Sequence, residues 1–301
     1  NSSWRNCLVE PNVFFENVFG NSNLRTRQPQ GHYNVLNHGV MQRDNDASPH
    51  VQALIDTVNE GSTIFFPEGN YLFHTKVTVN KAMRLVGIAT RDLNADEGTH
   101  IQAAAGILNE CAFEVTAGGV VFENLAFLGS LDAGLTSASR AIVWSSGTGG
   151  EVVGCTFRQW KGNCVEVGSS ASNIHFRGSV FAQSEKNGAY VQGNHASFDG
   201  RCEFRDNTQR GLYALGADNL AVENCFFYLN DWEGLSVQDG NRALIKGNHA
   251  VDNGFSGIKI RSGSRHEAIA NHCYGNGTDT GVGDIDRGGI TVTEGSQSHV
   301  C

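Results

Sequence analysis

The second half of the chain contains short segments in which apolar and polar residues alternate. GLYAL at Gly211, GLSVQ at Gly234 and GIKIR at Gly257 each place two apolar side chains on one face and mostly polar ones on the other. Alternation with a period of two is typical of a half-buried β-strand, and none of these segments is long enough for a helix. The pattern therefore predicts many short strands joined by tight turns.

These strands belong to a repeat of 23 residues, because three kinds of residue recur in columns with that spacing. The columns are Gly188, Gly211, Gly234 and Gly257; Asn207, Asn230, Asn253 and Asn276; and, with steps of 24, 23 and 23, Phe157, Phe181, Phe204 and Phe227, which Val251 and Tyr274 continue. Columns that keep one period over successive turns indicate a repeat architecture. A unit with two or three short strands and no helix predicts one coil of a parallel β-helix. Phe would then stack on Phe in the core and Asn on Asn at a turn, at a spacing of ~4.8 Å.

The chain resembles the pectate-lyase-like right-handed β-helix superfamily over roughly residues 32 to 300. The resemblance rests on YNVLNHGV, SPHVQALIDTV and STIFFPEGNYLF, although GVMQRDNDAS stands where the superfamily often has Gly-Asp-Gly and paired Asp. It implies an all-β fold, a right-handed parallel β-helix built as a single solenoid. A short capping helix over residues 49–58 would cover the edge of the first coil. Hydrolases, lyases, epimerases and phage tailspikes share this opening, so the resemblance specifies the fold and leaves the activity open.

Two regions follow from this interpretation. Residues 1–31 lie outside the repeat and are predicted to form an N-terminal extension or docking arm, and residues 32–301 form the β-helix domain. No closing cap is evident after the last coil, which would leave strand edges open. We therefore expect a further domain, or another subunit of a homo-oligomer, to cover that end.

Charge and composition indicate which classes of binding partner to expect. The net charge of −9, without a run of like charges, argues against nucleic acid, and an acidic sugar would need a local basic patch or a bound cation. No apolar stretch approaches the ~18 residues of a membrane-spanning helix. Glycosylation sequons at Asn1 and Asn276 favour an extracellular setting, either secreted or on a virion surface.

Alternation assigns the side chains that face outward beside the glycine-led strands. The first outward column reads Glu166, Tyr190, Tyr213, Ser236, Lys259 and Thr291, and the second reads Gly168, Gln192, Leu215, Gln238, Arg261 and Thr293. The residues just ahead of the strands add Asp231, Trp232, Glu233, Lys186 and Arg210. Lys259 and Arg261 thus become neighbouring cations on one strand, separated by ~6.6 Å.

The superfamily resemblance gives this face a chemical interpretation. In its polysaccharide lyases, an Arg or Lys of depressed pKa removes the proton beside a uronate carboxylate. The predicted catalytic residues are Lys259, Arg261, Glu233, Asp231 and Tyr213, and the predicted substrate-binding residues are Tyr190, Trp232, Glu166, Gln238 and Arg287. The alternative is that these residues are simply the solvated face of a strand. The carboxylate signatures of polygalacturonases and the Asp-Pro-His of mannuronan epimerases are absent.

Three functions remain open at this point. One is a carbohydrate-active protein that binds and cleaves an acidic polysaccharide, by lyase or hydrolase chemistry, along the outer face of the coils. Another is a non-catalytic β-helix such as a tailspike shaft, a surface adhesin or a filament subunit. The third is a sugar-binding module without turnover.

An insertion and the cysteines complete the candidates. TDTGVGDIDR interrupts the repeat, and its Asp279, Asp284 and Asp286 would suit either calcium or a solvated turn.

Cys202 and Cys225 are predicted to be neighbouring buried thiols, with a disulfide as the alternative, and Cys273 and Cys301 are the better disulfide candidates. His249 and His272 are placed in the column of Cys202 and Cys225, as a partly buried stack. No metal site is predicted at these histidines.

Overall fold

The protein folds as a parallel β-helix in which successive coils add one strand to each of three parallel sheets. The computed structural model describes residues 31–42, 46–89, 97–104, 111–129, 138–278, 288–294 and 297–301. Within these ranges it contains twenty-nine strands, one α-helix and a 3-10 turn at Val35–His38. Also within them, no helix has the length and hydrophobicity needed to cross a membrane.

Each sheet runs along the helix axis, and its neighbouring strands pair in parallel. Sheet A contains β1 (His32–Asn34), β2 (Thr63–Phe65), β5 (Arg84–Val86), β8 (Val120–Glu123), β11 (Gly147–Val153), β14 (Ala171–Arg177), β17 (Ser197–Asp199), β20 (Ala221–Glu223), β23 (Leu244–Lys246), β26 (Ser264–Ile269) and β29 (Gln297–Val300). Sheet B contains β3 (Gly69–Phe73), β6 (Thr99–Ala103), β9 (Ala126–Leu128), β12 (Thr156–Arg158), β15 (Val180–Ala182), β18 (Glu203–Arg205), β21 (Phe226–Tyr228), β24 (His249–Val251) and β27 (His272–Tyr274). Sheet C contains β4 (Val77–Val79), β7 (Cys111–Val115), β10 (Arg140–Trp144), β13 (Val165–Val167), β16 (Ala189–Val191), β19 (Leu212–Leu215), β22 (Leu235–Gln238), β25 (Ile258–Arg261) and β28 (Ile290–Thr293).

The predicted phenylalanine column forms a stack in the core, on the inner face of sheet B. Ring centroids of consecutive members lie 5.1, 4.7 and 4.8 Å apart, with ring planes within 10° of parallel, for Phe157, Phe181, Phe204 and Phe227. All four are fully buried. Burying such a side chain stabilises the fold by about 1.5–3 kcal/mol, so the stack is a major part of the hydrophobic core.

The column continues through different residues from those predicted. Phe227 pairs with Ala250, which pairs with Cys273. Val251 and Tyr274 lie one position later and face outward, and Tyr274 is 62% exposed. The strands here have only three residues, so a shift of one position exchanges the two faces.

The same shift moves the two histidines out of the cysteine column. The backbone N–H of Cys225 donates to the Oδ1 of Asn248, which occupies the next position of that column. His249 instead pairs with Phe226 on the outer face of sheet B, and His272 pairs with His249. The two histidines do stack, but on the outer face of sheet B and not in the partly buried column where they were predicted.

The predicted asparagine column is a ladder of side-chain amides between sheets B and C. The Nδ2 atoms of Asn207, Asn230 and Asn253 each donate to the Oδ1 of the next asparagine, at 2.8, 2.9 and 2.9 Å. Each also donates to a backbone carbonyl, so the buried amides are paired. A second ladder, from Asn248 to Asn271 at 3.0 Å, was not predicted.

A helix covers the first strand of sheet C. Helix α1 (Ser48–Thr57) begins and ends one residue before the predicted range, and it buries Val51, Leu54 and Ile55. The Oε1 of Gln52 accepts from the backbone N–H of Thr78 at 2.6 Å, and its Nε2 donates to the Thr78 carbonyl at 3.2 Å. This side-chain amide pairs with β4 as another strand would, which protects the edge and confirms the capping helix.

The seven described cysteines are free thiols. The interpretation of Cys202 and Cys225 as reduced buried thiols is therefore confirmed over the disulfide alternative. Cys273 and Cys301 are also unpaired, which corrects the expectation of disulfides there. Cys273 belongs to sheet B, whereas Cys301 follows β29 in sheet A, so the two residues stand on different sheets.

Candidate functional site

The outer face of sheet C carries most of the predicted site residues. The strand registers align the first outward column in full, through Glu166, Tyr190, Tyr213, Ser236, Lys259 and Thr291. They also align the end of the second column, through Leu215, Gln238, Arg261 and Thr293. The alternation of short strands therefore predicts correctly which side chains share this face.

A buried carboxylate holds two cations at the edge of this face. The Nζ of Lys259 lies 3.3 Å from the Oε1 of Glu233, and the Nε of Arg210 lies 2.8 Å from its Oε2. The second contact is close but not aligned as a hydrogen bond. The Glu233 side chain is 1% exposed, against 14% for Lys259 and 18% for Arg210. We call these three residues the Glu233 cluster.

The burial of Glu233 separates it from the other predicted catalytic residues. A carboxylate without solvent must keep its cationic partners, since an unpaired buried charge is strongly destabilising. Glu233 therefore holds Lys259 and Arg210 in place, and these two cations are the more exposed members of the cluster.

Aromatic rings adjoin the cluster. The rings of Tyr190 and Tyr213 lie 5.4 Å apart between centroids. The guanidinium carbon of Arg210 sits 4.4 Å from the ring centroid of Tyr213 and 4.7 Å from that of Trp232, in cation–π contact with both. Trp232 in turn stacks on Phe255 at 5.8 Å. Arg210 thus joins the Glu233 cluster to an aromatic surface formed by Tyr190, Tyr213 and Trp232.

The two tyrosines are protonated hydrogen-bond donors at neutral pH. Burial raises the pKa of the Tyr213 phenol above its ordinary value, and its hydroxyl donates to the Oε1 of Gln238 at 3.1 Å. Burial also raises the pKa of Tyr190, helped by the nearby Tyr213 and Glu166. The single proton of the Tyr213 hydroxyl is thus donated to Gln238, and the Tyr190 phenol is the one that can donate to a ligand oxygen.

Arg261 has a different environment from Lys259, although they share β25. Its Nη2 lies 2.8 Å from the Oε1 of Glu294. The hydrogen bond and charge of Glu294 raise the pKa of Arg261. A general base of this type needs a depressed pKa, so the structure favours a binding or structural role for Arg261 over proton abstraction.

The remaining predicted residues lie at the margins of the face. Glu166 accepts from the Nδ2 of Asn163 and pairs with the Nε of Arg140, both at 2.5 Å. Asp231 is exposed and, with Trp232, lines a depression of about 510 Å³ on the turn between sheets B and C. Asp231 therefore lines this neighbouring depression and lies at the margin of the sheet C face.

The insertion loop falls outside the described residues. This applies to the predicted ligand-binding Arg287 and to Asp279, Asp284 and Asp286. Among the residues that the structure does describe, no three His, Cys, Asp or Glu side chains are grouped to hold a metal ion.

Two cations of this face, Arg210 and Arg140, are not among the predicted site residues. Arg210 lies 23 residues before Glu233, one coil earlier, so opposite charges one period apart were an available signal. Arg140 lies 26 residues before Glu166. That offset is not the repeat period, and the pattern therefore gave no indication of the pair.

The three-sheet solenoid defines a parallel β-helix protein. The family model for the right-handed β-helix region matches residues 140–300, more than half of the chain, and the chain belongs to that family. No curated protein matches it by sequence.

Several solved structures share the fold. The A-module of mannuronan C-5 epimerase AlgE4 from Azotobacter vinelandii aligns with a TM-score of 0.69 and 16% identity, over 82% of this chain and 79% of that one. The enzymatically active domain of tailspike protein 2 from bacteriophage CBA120 aligns with a TM-score of 0.69 and 11% identity, over 90% of this chain and 42% of that one. Pectate lyase Pel9A aligns with a TM-score of 0.58 and 13% identity, over 92% and 79%. At such identities the likeness is one of fold.

Proposed function

We propose that this protein binds an acidic polysaccharide along the outer face of sheet C and cleaves it, outside the cell or on a virion surface. The observation that carries the proposal is the Glu233 cluster. Lys259 and Arg210 both contact this buried carboxylate, so two cations are held together on a chain whose overall charge is −9. Cations gathered in this way can contact the carboxylate of an acidic sugar.

The aromatic surface supports a sugar as the ligand. Tyr190, Tyr213 and Trp232 combine apolar ring surface with polar groups, as sites for small polar ligands often do. Because the sheet is parallel, similar positions recur along the axis at a spacing of ~4.8 Å. An extended chain lying along the axis can therefore contact several coils at once.

The chemistry assigns separate tasks to the residues. Lys259 contacts the carboxylate of the bound sugar, and the ring of Tyr213 contacts the sugar ring. Glu233 positions Lys259, and Arg261 remains paired with Glu294. The names of the similar structures, which include a mannuronan epimerase and a pectate lyase, support carbohydrate chemistry at the level of the fold alone.

The test is binding and turnover on uronate polymers. Polygalacturonate and alginate are incubated with the protein, an unsaturated product end is followed by its absorbance, and new reducing ends are counted to separate lyase from hydrolase. Lys259→Ala should lower polymer affinity at least about tenfold, since a charge-assisted contact is lost. The matched control is Lys246→Ala, an exposed lysine on the outer face of sheet A. Equal loss in both variants, or no binding by the unmodified protein, would refute the proposal.

A second candidate is a structural or adhesive β-helix without turnover. It is favoured by ion pairs that use outward charges to join neighbouring coils, as in Arg261–Glu294 and Lys161–Glu185. This function predicts that no product appears with any polymer and that replacing Lys259 leaves assembly and adhesion intact.

A further inference from the structure

The outer face of sheet B contains a depression of about 420 Å³ that the function proposed for sheet C does not use. Its size is within the range of small-ligand sites. Its floor lies where outward side chains are small or absent, at Val180, Gly178 and Gly200. Its wall is Phe226, where the outward column of this sheet becomes aromatic.

The wall of the depression is an aromatic ring. Phe226 stacks on His249 with centroids 5.3 Å apart, and His249 stacks on His272 at 5.0 Å. On its other side Phe226 pairs with Glu203 of the preceding coil. One face of the Phe226 ring is therefore covered by imidazole, and the ring contributes to the lining of the depression. An aromatic ring of this kind can stack against the apolar face of a sugar ring.

Polar groups surround that ring. The Tyr228 hydroxyl donates to the Oε2 of Glu203 at 3.2 Å, which orients the carboxylate as an acceptor for ligand hydroxyls. Arg205 contributes to the lining, and its Nη1 donates to Asp206 at 2.6 Å. An arginine has five N–H donors, so this pair leaves others available.

An extra residue places a second arginine at the rim. The turn between β17 and β18 contains consecutive left-handed residues, Gly200 at φ 64° and Arg201 at φ 67°. The equivalent turns before and after have one left-handed residue each, Gly178 and Asn224. Arginine adopts this conformation less readily than glycine, and the extra residue places Arg201 in the lining of the depression. Arg201 is exposed and makes no ion pair with any residue that the structure describes.

We propose that this depression is a second saccharide site, which binds one carboxylate-bearing sugar residue. The sugar ring stacks on Phe226, its hydroxyls donate to Glu203, and its carboxylate accepts from Arg201 and Arg205. The site lies on a different sheet from the Glu233 cluster. It therefore stands independently of the function proposed above.

The test is a site-resolved titration of the full chain with galacturonic acid, and with galactose as its neutral counterpart. Backbone amide shifts of Gly178 and Gly200 report this pocket, and those of Ser236 and Lys259 report sheet C. We expect saturable shifts at the two glycines with galacturonic acid, and affinity for galactose lower by about tenfold. Because the faces are read separately, failure here is distinguishable from failure of the sheet C proposal.

Two variants sharpen the titration. Arg201→Gly relieves the left-handed strain, so it should keep or raise the melting temperature while weakening galacturonic acid binding about tenfold. Arg265→Gly is the matched control, because Arg265 is also exposed and left-handed, at φ 60°, but lies on sheet A. The proposal is overturned if the two variants bind equally well, if galactose binds as tightly as galacturonic acid, or if neither glycine shifts.

Discussion

Glu233→Gln tests whether the buried carboxylate organises the sheet C face. The substitution keeps the shape of the side chain and removes its charge. Lys259 and Arg210 then lose the anion that both contact, at 3.3 and 2.8 Å. Because Glu233 is 1% exposed, water does not reach the position to replace it.

The expected magnitude follows from the burial of all three groups. Removing one partner of a buried ion pair costs about 3–5 kcal/mol. The cations here are 14% and 18% exposed, so they can partly rehydrate, and the lower end of that range applies. We expect Glu233→Gln to lower the free energy of unfolding by about 3 kcal/mol.

The assay is urea unfolding followed by circular dichroism. The free energies of unfolding are compared between variants that have the same m-value, the slope of free energy against urea concentration. A matched triple variant, Glu233→Met with Lys259→Met and Arg210→Met, removes the whole cluster and fills its volume with apolar side chains. Replacing a complete buried ion cluster in this way is often neutral for stability. The triple variant should thus be more stable than Glu233→Gln and still fail to bind uronate polymer. A loss below about 1 kcal/mol for Glu233→Gln, the level of an exposed pair, would show that the cluster is not held as argued.

Three further predictions address the solenoid. Asn230→Ala removes buried amide bonds along the ladder and leaves partners unsatisfied, so the free energy of unfolding should fall by about 3 kcal/mol, as measured in urea. Gly234→Ala would put a Cβ 2.7 Å from a backbone carbonyl oxygen of the next coil and should lower the melting temperature, whereas Gly288→Ala, with no atom within 4 Å, should not. Burial raises the pKa of Cys155 to about 12, so at pH 8 iodoacetamide should label exposed Cys301 first, and mass spectrometry that finds Cys155 labelled as fast would contradict that burial.

Much of the fold is predictable because a β-helix converts sequence spacing into vertical neighbours. The Phe204–Phe227 stack and the Asn230–Asn253 hydrogen bond both follow from columns visible in the sequence. The errors arise where a column changes residue type. At His249-Ala250-Val251 a three-residue strand offers too little alternation to fix the phase, and a shift of one residue exchanges inside and outside.

The candidate site was less predictable, because its chemistry depends on which long side chains meet. Alternation places Lys259 and Arg261 on the same face, and the structure confirms it. Alternation does not indicate that Glu233 turns inward beneath Lys259, or that Glu294 pairs with Arg261. Side-chain partners across coils are decided by rotamers and by the shape of the intervening turns, which the repeat period does not encode.

This difference explains how two cations on one strand come to have different roles. In a parallel β-helix the nearest charged neighbours of a residue lie on the coils before and after it. The ion-pair partners of a side chain therefore have to be sought on its own coil and on both adjacent coils. Lys259 and Arg210 both contact the buried carboxylate of Glu233. Arg261 contacts a different and more exposed carboxylate, that of Glu294. If sheet C binds an acidic sugar as we propose, we therefore expect Lys259 and Arg210, two coils apart, to contact it, and Arg261 to stay paired with Glu294.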